Sequence, residues 1–432
     1  MTNVAIIGAG MAGFGAAFQC HNMGIPATVY EQHNYHGGHA ASFSKDGFVF
    51  DDGPHVSFTK NERLQVLFAR SMGNQFEIVK TNPNNYWKGY WIKHPAQCNL
   101  YGLPQNMVLE ILVDFIQRNT NADIKNYQDW LMASFGKKFA ETFPMQYTRK
   151  FHTTTANNMT TDWVGPRLYQ PDLREVLLGA LSPSTPDVHY VDHFRYPTHG
   201  GFVRILDCFL PTTRMMLNHQ VSAIDPRNNI LSFTNGSQIN YQSLISTIAL
   251  PDLIPLIQGV PNEVLRASQR LACSSCVLVN LGINRPDISA SQWTYFYDDE
   301  FIFTRLSFPH LLSPFTTPEG AGSIQAEIYF SKKYKPLDRT PQDCISSTIS
   351  DLKKCGLLQN EDNILYSDSR VVPYANIIYD LDRKPALDIV HGFLKKAGIG
   401  YAGRYGEWGY HWSDGSFISG ENAAKQILPI IQ

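Results

Sequence analysis

The sequence has no low-complexity tract and no long block of like charges, so nothing in it reads as disorder. It also lacks any run of roughly 18 consecutive apolar residues, the length a bilayer-spanning helix needs. Seven cysteines are scattered along 432 residues, an odd count at a density too low for a disulfide framework. A reducing cytoplasm is the expected location. No charge of one sign dominates: the formal net charge is −2 and the pI is near 6.7, which provides no field for nucleic acid or an anionic bilayer. The opening apolar stretch has no basic flank, and we read it as structure and not as a leader.

What remains is an ordinary globular composition, with 43% apolar and 17% charged residues. A chain this long exceeds the usual size of one compact unit, so two domains are expected. Val4 to Ile7 reads as a strand, Met11 to Met23 as a helix and Ala27 to Glu31 as a second strand, a βαβ opening. From about Glu62 to Arg195 the pattern is mostly helical, with Val108, Ile111, Leu112 and Phe115 at helical spacing. Short β-rich runs separated by DPRNN and NGS turns follow between Leu217 and Leu250, with Val221 as a candidate cofactor contact. Alternating runs over 273–330 predict an antiparallel sheet, and the chain closes on a turn and a helix. Residues 1–61, 196–265 and 391–432 are expected to form a cofactor unit, and 62–195 with 266–390 a substrate unit.

Gly8, Gly10 and Gly13 spell GAGMAG between the first strand and helix, and Glu31 ends the next strand. Glycines there permit a tight turn, close approach of the backbone to a pyrophosphate, and close helix–strand packing. The helix N-terminus offers N–H groups and a positive dipole to phosphate. Glu31 is placed to accept hydrogen bonds from ribose hydroxyls. A dinucleotide is therefore the expected ligand. HGGHAASF continues with Gly37, Gly38 and His39, and the acidic pair Asp51 and Asp52 follows in FVFDDGPH.

This extended pattern resembles the FAD fingerprint of the flavin amine oxidase, protoporphyrinogen oxidase and UDP-galactopyranose mutase group. DGSFISGENAA, with Asp414, Gly415 and Ser416, resembles the group's second flavin motif, in which a helix N-terminus faces the flavin. The expected fold is accordingly α/β, a Rossmann-type FAD-binding domain of the two-dinucleotide-binding type interleaved with a mixed helical and antiparallel-sheet substrate domain. Further strings are similar to the mutases in particular: GPHVSF, HPAQCNLYGLP, DWVGPR, RYPTHGG, FTRLSFPHLLSP and GRYGEWGY.

The mutase resemblance implies interconversion of pyranose and furanose forms of a nucleotide-diphosphate sugar through N5 of reduced FAD, with NAD(P)H a candidate electron donor and a homo-oligomer a compatible state. Planar guanidinium forks suit a diphosphate, and the resemblance assigns that task to Arg305, Arg404 and Arg167. His55 stands either at the flavin ring or as a loop histidine, and His39 packs on the cofactor. The departures are in PHLLSP, which lacks the mutases' asparagine and tyrosine, and in PYANIIYDLDRK, where Tyr374 stands in for a phosphate contact. The rival reading is a net oxidoreductase of the amine oxidase or protoporphyrinogen oxidase type. Cys273 and Cys276 form CSSC inside a predicted strand and read as core residues without a metal.

Overall fold

The computed structural model describes residues 3–189 and 191–427, Pro166 by its backbone alone. The run VAII forms the strand Val4–Ile7, buried at all four positions, as a strand covered on both faces must be. Its neighbours are parallel: Val4 faces Ala27 of Ala27–Tyr30 on one side and Ser243 of Ser243–Ser246 on the other. Ile399–Tyr401 and Met215–Met216 complete a five-stranded sheet at its two edges, also in parallel. The helix Met11–Asn22 crosses over between the first two strands, as the opening pattern predicts to within a residue at each boundary.

A second helix, Ser413–Ile427, packs directly on Met11–Asn22. Glycine makes this approach feasible. A Cβ on Gly15 would sit 2.0 Å from the Phe417 carbonyl oxygen, and one on Gly420 would sit 1.9 Å from that of Ala12.

The seven-stranded sheet runs in the order Ile364–Ile377, Cys273–Ile283, Gly322–Ser331, Arg305–Ser307, Trp293–Phe296, Asn84–Trp87, Tyr90–Lys93. Its strands are antiparallel except where Trp293–Phe296 meets Asn84–Trp87. The alternation that predicted this sheet has a different meaning from a solvent face. All ten residues of Gly322–Ser331 are buried, and the polar set Ser323, Gln325 and Glu327 faces inward. Gln325 donates to the Asp51 carbonyl and to Asn280 Oδ1, both at 2.9 Å. The helices between Gln105 and Leu181 follow this sheet's last pair in the chain, Phe143 packing on Trp87, and Phe76–Lys80 pairs antiparallel with His193–Pro197 outside the sheet. The runs after Leu217 form a three-stranded antiparallel meander, Val221–Asp225, Ile230–Phe233 and Gln238–Asn240. Asp225 Oδ1 caps the amides of Arg227 and Asn228, which is why DPRNN turns where it does. The fold is thus α/β, a Rossmann-type sheet interleaved with a helical and largely antiparallel unit. No helix among the described residues is long and apolar enough to cross a membrane.

Candidate active site

The glycine turn shows what each position is for. Gly8 has φ +98°, where a side chain is strained, and its Cβ would meet Thr247 Oγ1 at 2.4 Å. Gly13 is needed for packing, since a Cβ there would lie 1.9 Å from the Gly8 carbonyl oxygen, and it does not line the cavity described below. Gly10 differs from both. Its φ is −88°, and the nearest protein atoms to an added Cβ are at 3.8 Å. Neither backbone strain nor protein packing requires glycine there, whereas a ligand seated on the turn would. Gly10 is also the N-cap of Met11–Asn22, with no side-chain cap and no acidic residue in the first turn, so the amide dipoles of that end remain available to an anion.

Gly37 and Gly38 have φ values of 111° and 55°, and Gly37 N–H donates to the Ala9 carbonyl at 2.8 Å, docking the second glycine turn on the first. Glu31 is buried and accepts from the amides of Ala9 and His33, both at 2.9 Å. Its carboxylate therefore braces the turn in addition to lining the cavity, a role the sequence reading did not include.

From this turn a single cavity of about 1460 Å³ runs to the seven-stranded sheet. Gly8, Gly10, Glu31, Gly37, Gly38 and His39 form one end. Gly403, Ser416 and His55 follow, then Arg404, Tyr374, Arg167 and Arg305. Besides Gly13, three residues expected at the cofactor lie off this wall. Val221 is buried in the meander opposite Phe233, where strand alternation turns it into the core. Asp414 Oδ1 accepts from the Gly415 amide at 2.7 Å, and Gly415 packs by His411, where a Cβ would come 3.3 Å from Nδ1. Of that motif Ser416 reaches the cavity.

The adjacent aspartates point to opposite faces and do different work. Asp51 is buried and accepts from Ser42 Oγ at 2.6 Å, Tyr196 Oη at 2.7 Å and the Phe202 amide at 2.9 Å. It pins the hairpin Ser42–Lys45/Phe48–Asp51 to the RYPTHGG segment. Asp52 lines the cavity and holds His39 Nδ1 at 3.1 Å and Arg370 Nε at 2.6 Å. Burial opposes ionisation of Asp52, but His39 and Arg370 outweigh it and keep the carboxyl below its ordinary range. His55 Nδ1 donates to the Gly53 carbonyl at 2.8 Å, and its ring stacks on Phe202 at 5.4 Å.

Burial lowers His55 to about 4 and His94 and His152 each to about 3, while it raises Asp51 to about 6. In the unfolded chain the histidines take up protons near pH 6.5 and a carboxyl near 4. The three histidines therefore favour folding fully above pH 6.5, and that contribution is lost as pH falls toward their folded values. Asp51 acts in the opposite sense, its contribution declining as pH rises through about 6. Around pH 5 the unfolded state binds a net two more protons at these four groups, so their share of the stability should fall by roughly 2.7 kcal/mol per pH unit on acidification. Urea midpoints measured from pH 7 to 4 check this, and a flat profile would contradict it.

At the far end Arg305 is paired with Glu327: Nε and Nη2 both donate to its carboxylate, Nη2 at 2.8 Å. Tyr329 Oη donates to the same carboxylate at 3.0 Å, and Tyr147 and Tyr295 complete the cluster. Burial opposes the charge on Arg305, and Glu327 overrides it. Arg404 donates from Nε and Nη2 to the His411 carbonyl, at 2.9 and 2.7 Å, and from Nη1 to that of Ala375 at 3.3 Å. Arg167 donates to the carbonyls of Trp163 and Tyr410 and lies 4.2 Å over the Tyr410 ring. Tyr374 lines the same cavity, and its Oη donates to Asp252 Oδ1 at 2.7 Å. The cavity thus gathers all three arginines, each already engaged. Glu327, Tyr147, Tyr295 and Arg370 were not read from the sequence. Beyond them the wall is aromatic, with Tyr127, Trp130, Phe135, Phe139, Phe143 and Trp163. Cys276 lines the cavity from the strand interior, and burial raises its thiol.

A Rossmann turn with an uncapped helix and a second helix N-terminus on one large cavity defines a dinucleotide-dependent enzyme of the flavoprotein kind. The profile of the flavin containing amine oxidoreductase family matches residues 11–428, and the chain belongs to that family. It is an FAD-dependent flavoenzyme. A reduced UDP-galactopyranose mutase has a similar fold, at TM-score 0.93 and 24% identity over 100% of this chain and 96% of that one. A putative protoporphyrinogen oxidase from Exiguobacterium sp. 255-15 follows at TM-score 0.77 and 15% identity, over 100% and 99% of the two chains. By sequence, the hydroxysqualene dehydroxylase of Sinorhizobium fredii (strain NBRC 101917 / NGR234) is 38% identical over 79 residues, 18% of this chain and 19% of that protein. The 4,4'-diapophytoene desaturase of Staphylococcus haemolyticus (strain JCSC1435) is 40% identical over 74 residues, 17% and 14% of the two. The chain thus spans about a fifth or less of the length of these curated relatives.

The residues present fit FAD. The open space at Gly10, the uncapped helix beside it and the glycine pair at 37 and 38 form a cradle for a pyrophosphate, with Glu31 and His39 on its walls. When bound, FAD supplies reversible two-electron chemistry at its isoalloxazine ring.

Proposed function

We propose that the chain is an FAD-dependent mutase-like enzyme that interconverts the pyranose and furanose forms of a nucleotide-diphosphate sugar with its flavin reduced. The observation that carries this reading is the convergence of Arg167, Arg305 and Arg404 on the cavity that begins at the dinucleotide turn. The fold shared with UDP-galactopyranose mutase supports it. In this reading residues 1–61, 196–265 and 391–432 carry FAD and 62–195 with 266–390 carry substrate, in line with the strands each sheet draws on. Arg404 and Arg305 orient the diphosphate, Arg305 through Nη1, which lies outside its pair with Glu327. The aromatic wall excludes water from the sugar and offers ring faces to the base.

A second reading, net oxidation of a small apolar molecule, is favoured by the Arg305–Glu327 pair, which cancels one of the three arginine charges, and by the aromatic wall. One experiment separates the two. Dithionite-reduced protein is incubated anaerobically with UDP-sugars and products are resolved by chromatography, while oxidised protein is screened for substrate-driven flavin bleaching. Isomerisation without net redox change supports the mutase, and bleaching with no isomer formed overturns it. Under the mutase reading Arg404→Ala should weaken UDP binding by about 1.5–3 kcal/mol, the range for hydrogen bonds to charged groups, with the flavin spectrum retained. Calorimetric titration showing UDP affinity equal to that of the unaltered protein would remove Arg404 from the diphosphate site.

A further inference from the structure

Arg370 belongs to Ile364–Ile377, the edge strand of the seven-stranded sheet, where it stands opposite Leu278. Its side chain leaves that sheet for the cofactor end of the cavity. Nε donates to Asp52 Oδ1 and Nη2 to Tyr35 Oη, both at 2.6 Å, and the guanidinium lies 3.8 Å over the Phe43 ring. The other Asp52 oxygen holds His39. His39 directly follows Gly38, and a Cβ on Gly38 would come 3.1 Å from the Gly10 α-carbon. An unbroken line of contacts therefore runs from the substrate sheet through Arg370, Asp52, His39 and Gly38 to the dinucleotide turn.

Anchoring the hairpin does not depend on this line. Asp51 already ties the hairpin down through Ser42, Tyr196 and Phe202. What Arg370 provides, beside the His39 ring on the other oxygen, is a permanent counter-charge for Asp52, a carboxylate with a side-chain exposure of 9% on the wall of a cavity read as the site of a pyrophosphate dianion. Left uncompensated, that carboxylate would repel the phosphates in a partly desolvated site where charges are poorly screened.

We infer that Arg370 is a cofactor-positioning residue: from the substrate sheet, it neutralises Asp52 and so sets the affinity of the dinucleotide turn for FAD. The inference rests on the cavity being the FAD site. A carboxylate that needs a counter-charge predicts the sign of each substitution. Arg370→Gln should weaken FAD binding at least tenfold. Adding Asp52→Asn to it removes the unbalanced charge and should restore affinity to within threefold of the unaltered protein. A role limited to bracing the fold would make the second change additive or worse.

The test is to strip the full-length protein of flavin and titrate FAD by fluorescence quenching in the unaltered protein, Arg370→Gln, Asp52→Asn and the double variant, with circular dichroism to establish folding. Failure of the unaltered protein to bind FAD would reject the FAD site itself. With that binding intact, an Arg370→Gln affinity within twofold of it, or a double variant as weak as Arg370→Gln, overturns the inference. If Arg370→Gln does not fold, Asp52→Asn decides: affinity equal to or tighter than the unaltered protein supports the role, and tenfold weaker binding overturns it.

Discussion

Replacing Glu327 with leucine is expected to destabilise the protein by about 3 kcal/mol, the lower end of the range for removing one member of a buried ion pair. Glu327 has a side-chain exposure of 4% and Arg305 of 23%, so the substitution strands a guanidinium that burial already disfavours. It also takes away the acceptor of Tyr329 Oη. The companion Arg305→Met/Glu327→Leu should recover most of the loss, because two apolar side chains leave no unpaired charge behind. Urea denaturation of the three proteins makes the comparison, and a single variant that loses less than 1 kcal/mol would show that the pair is well hydrated.

Gly10→Val should abolish detectable FAD binding, by more than about 100-fold, while the apoprotein keeps its stability to within about 1 kcal/mol. These two expectations come from one measurement. With 3.8 Å of clearance around an added Cβ and an extended backbone, the first side-chain carbon meets no protein atom closely, so the loss should fall on the ligand whose pyrophosphate needs the space. Gly13→Val is the contrast, because its side chain would strike the Gly8 carbonyl and unsettle the fold whether or not FAD is present. Equal FAD affinity in Gly10→Val and the unaltered protein would mean that the pyrophosphate lies elsewhere.

The opening βαβ unit was legible because glycine chemistry, strand hydrophobicity and helix length all agree over thirty residues. The antiparallel sheet was legible from its alternation, yet the direction of the polar face was not. In SIQAEIYF a glutamate at every-other spacing reads as solvent-facing, and only the packing of helices over the sheet turns Glu327 toward a cavity. Asp51 and Asp52 were visible as a pair, but strand geometry sends one to a structural knot and the other to the site. Arg370 carried no local signal, since its partners lie more than three hundred residues away in sequence. The arginines illustrate the converse limit. Their positions were recognisable from surrounding strings, but their partners were not, although His411 lies only 7 residues from Arg404, Trp163 4 from Arg167 and Glu327 22 from Arg305.

The glycine-to-glycine crossing of the first and last described helices also has a consequence for synthesis. Met11–Asn22 is made long before Ser413–Ile427, so the side of the early helix that Gly420 approaches lacks that cover while some four hundred residues are made. The edge strand Ile399–Tyr401 joins the parallel sheet equally late. The part of the cavity wall that Gly403, Ser413 and Ser416 supply is therefore added only after the glycine cradle has been made. A circular permutant that places the two helices next to each other in sequence should bring this crossing together earlier in synthesis.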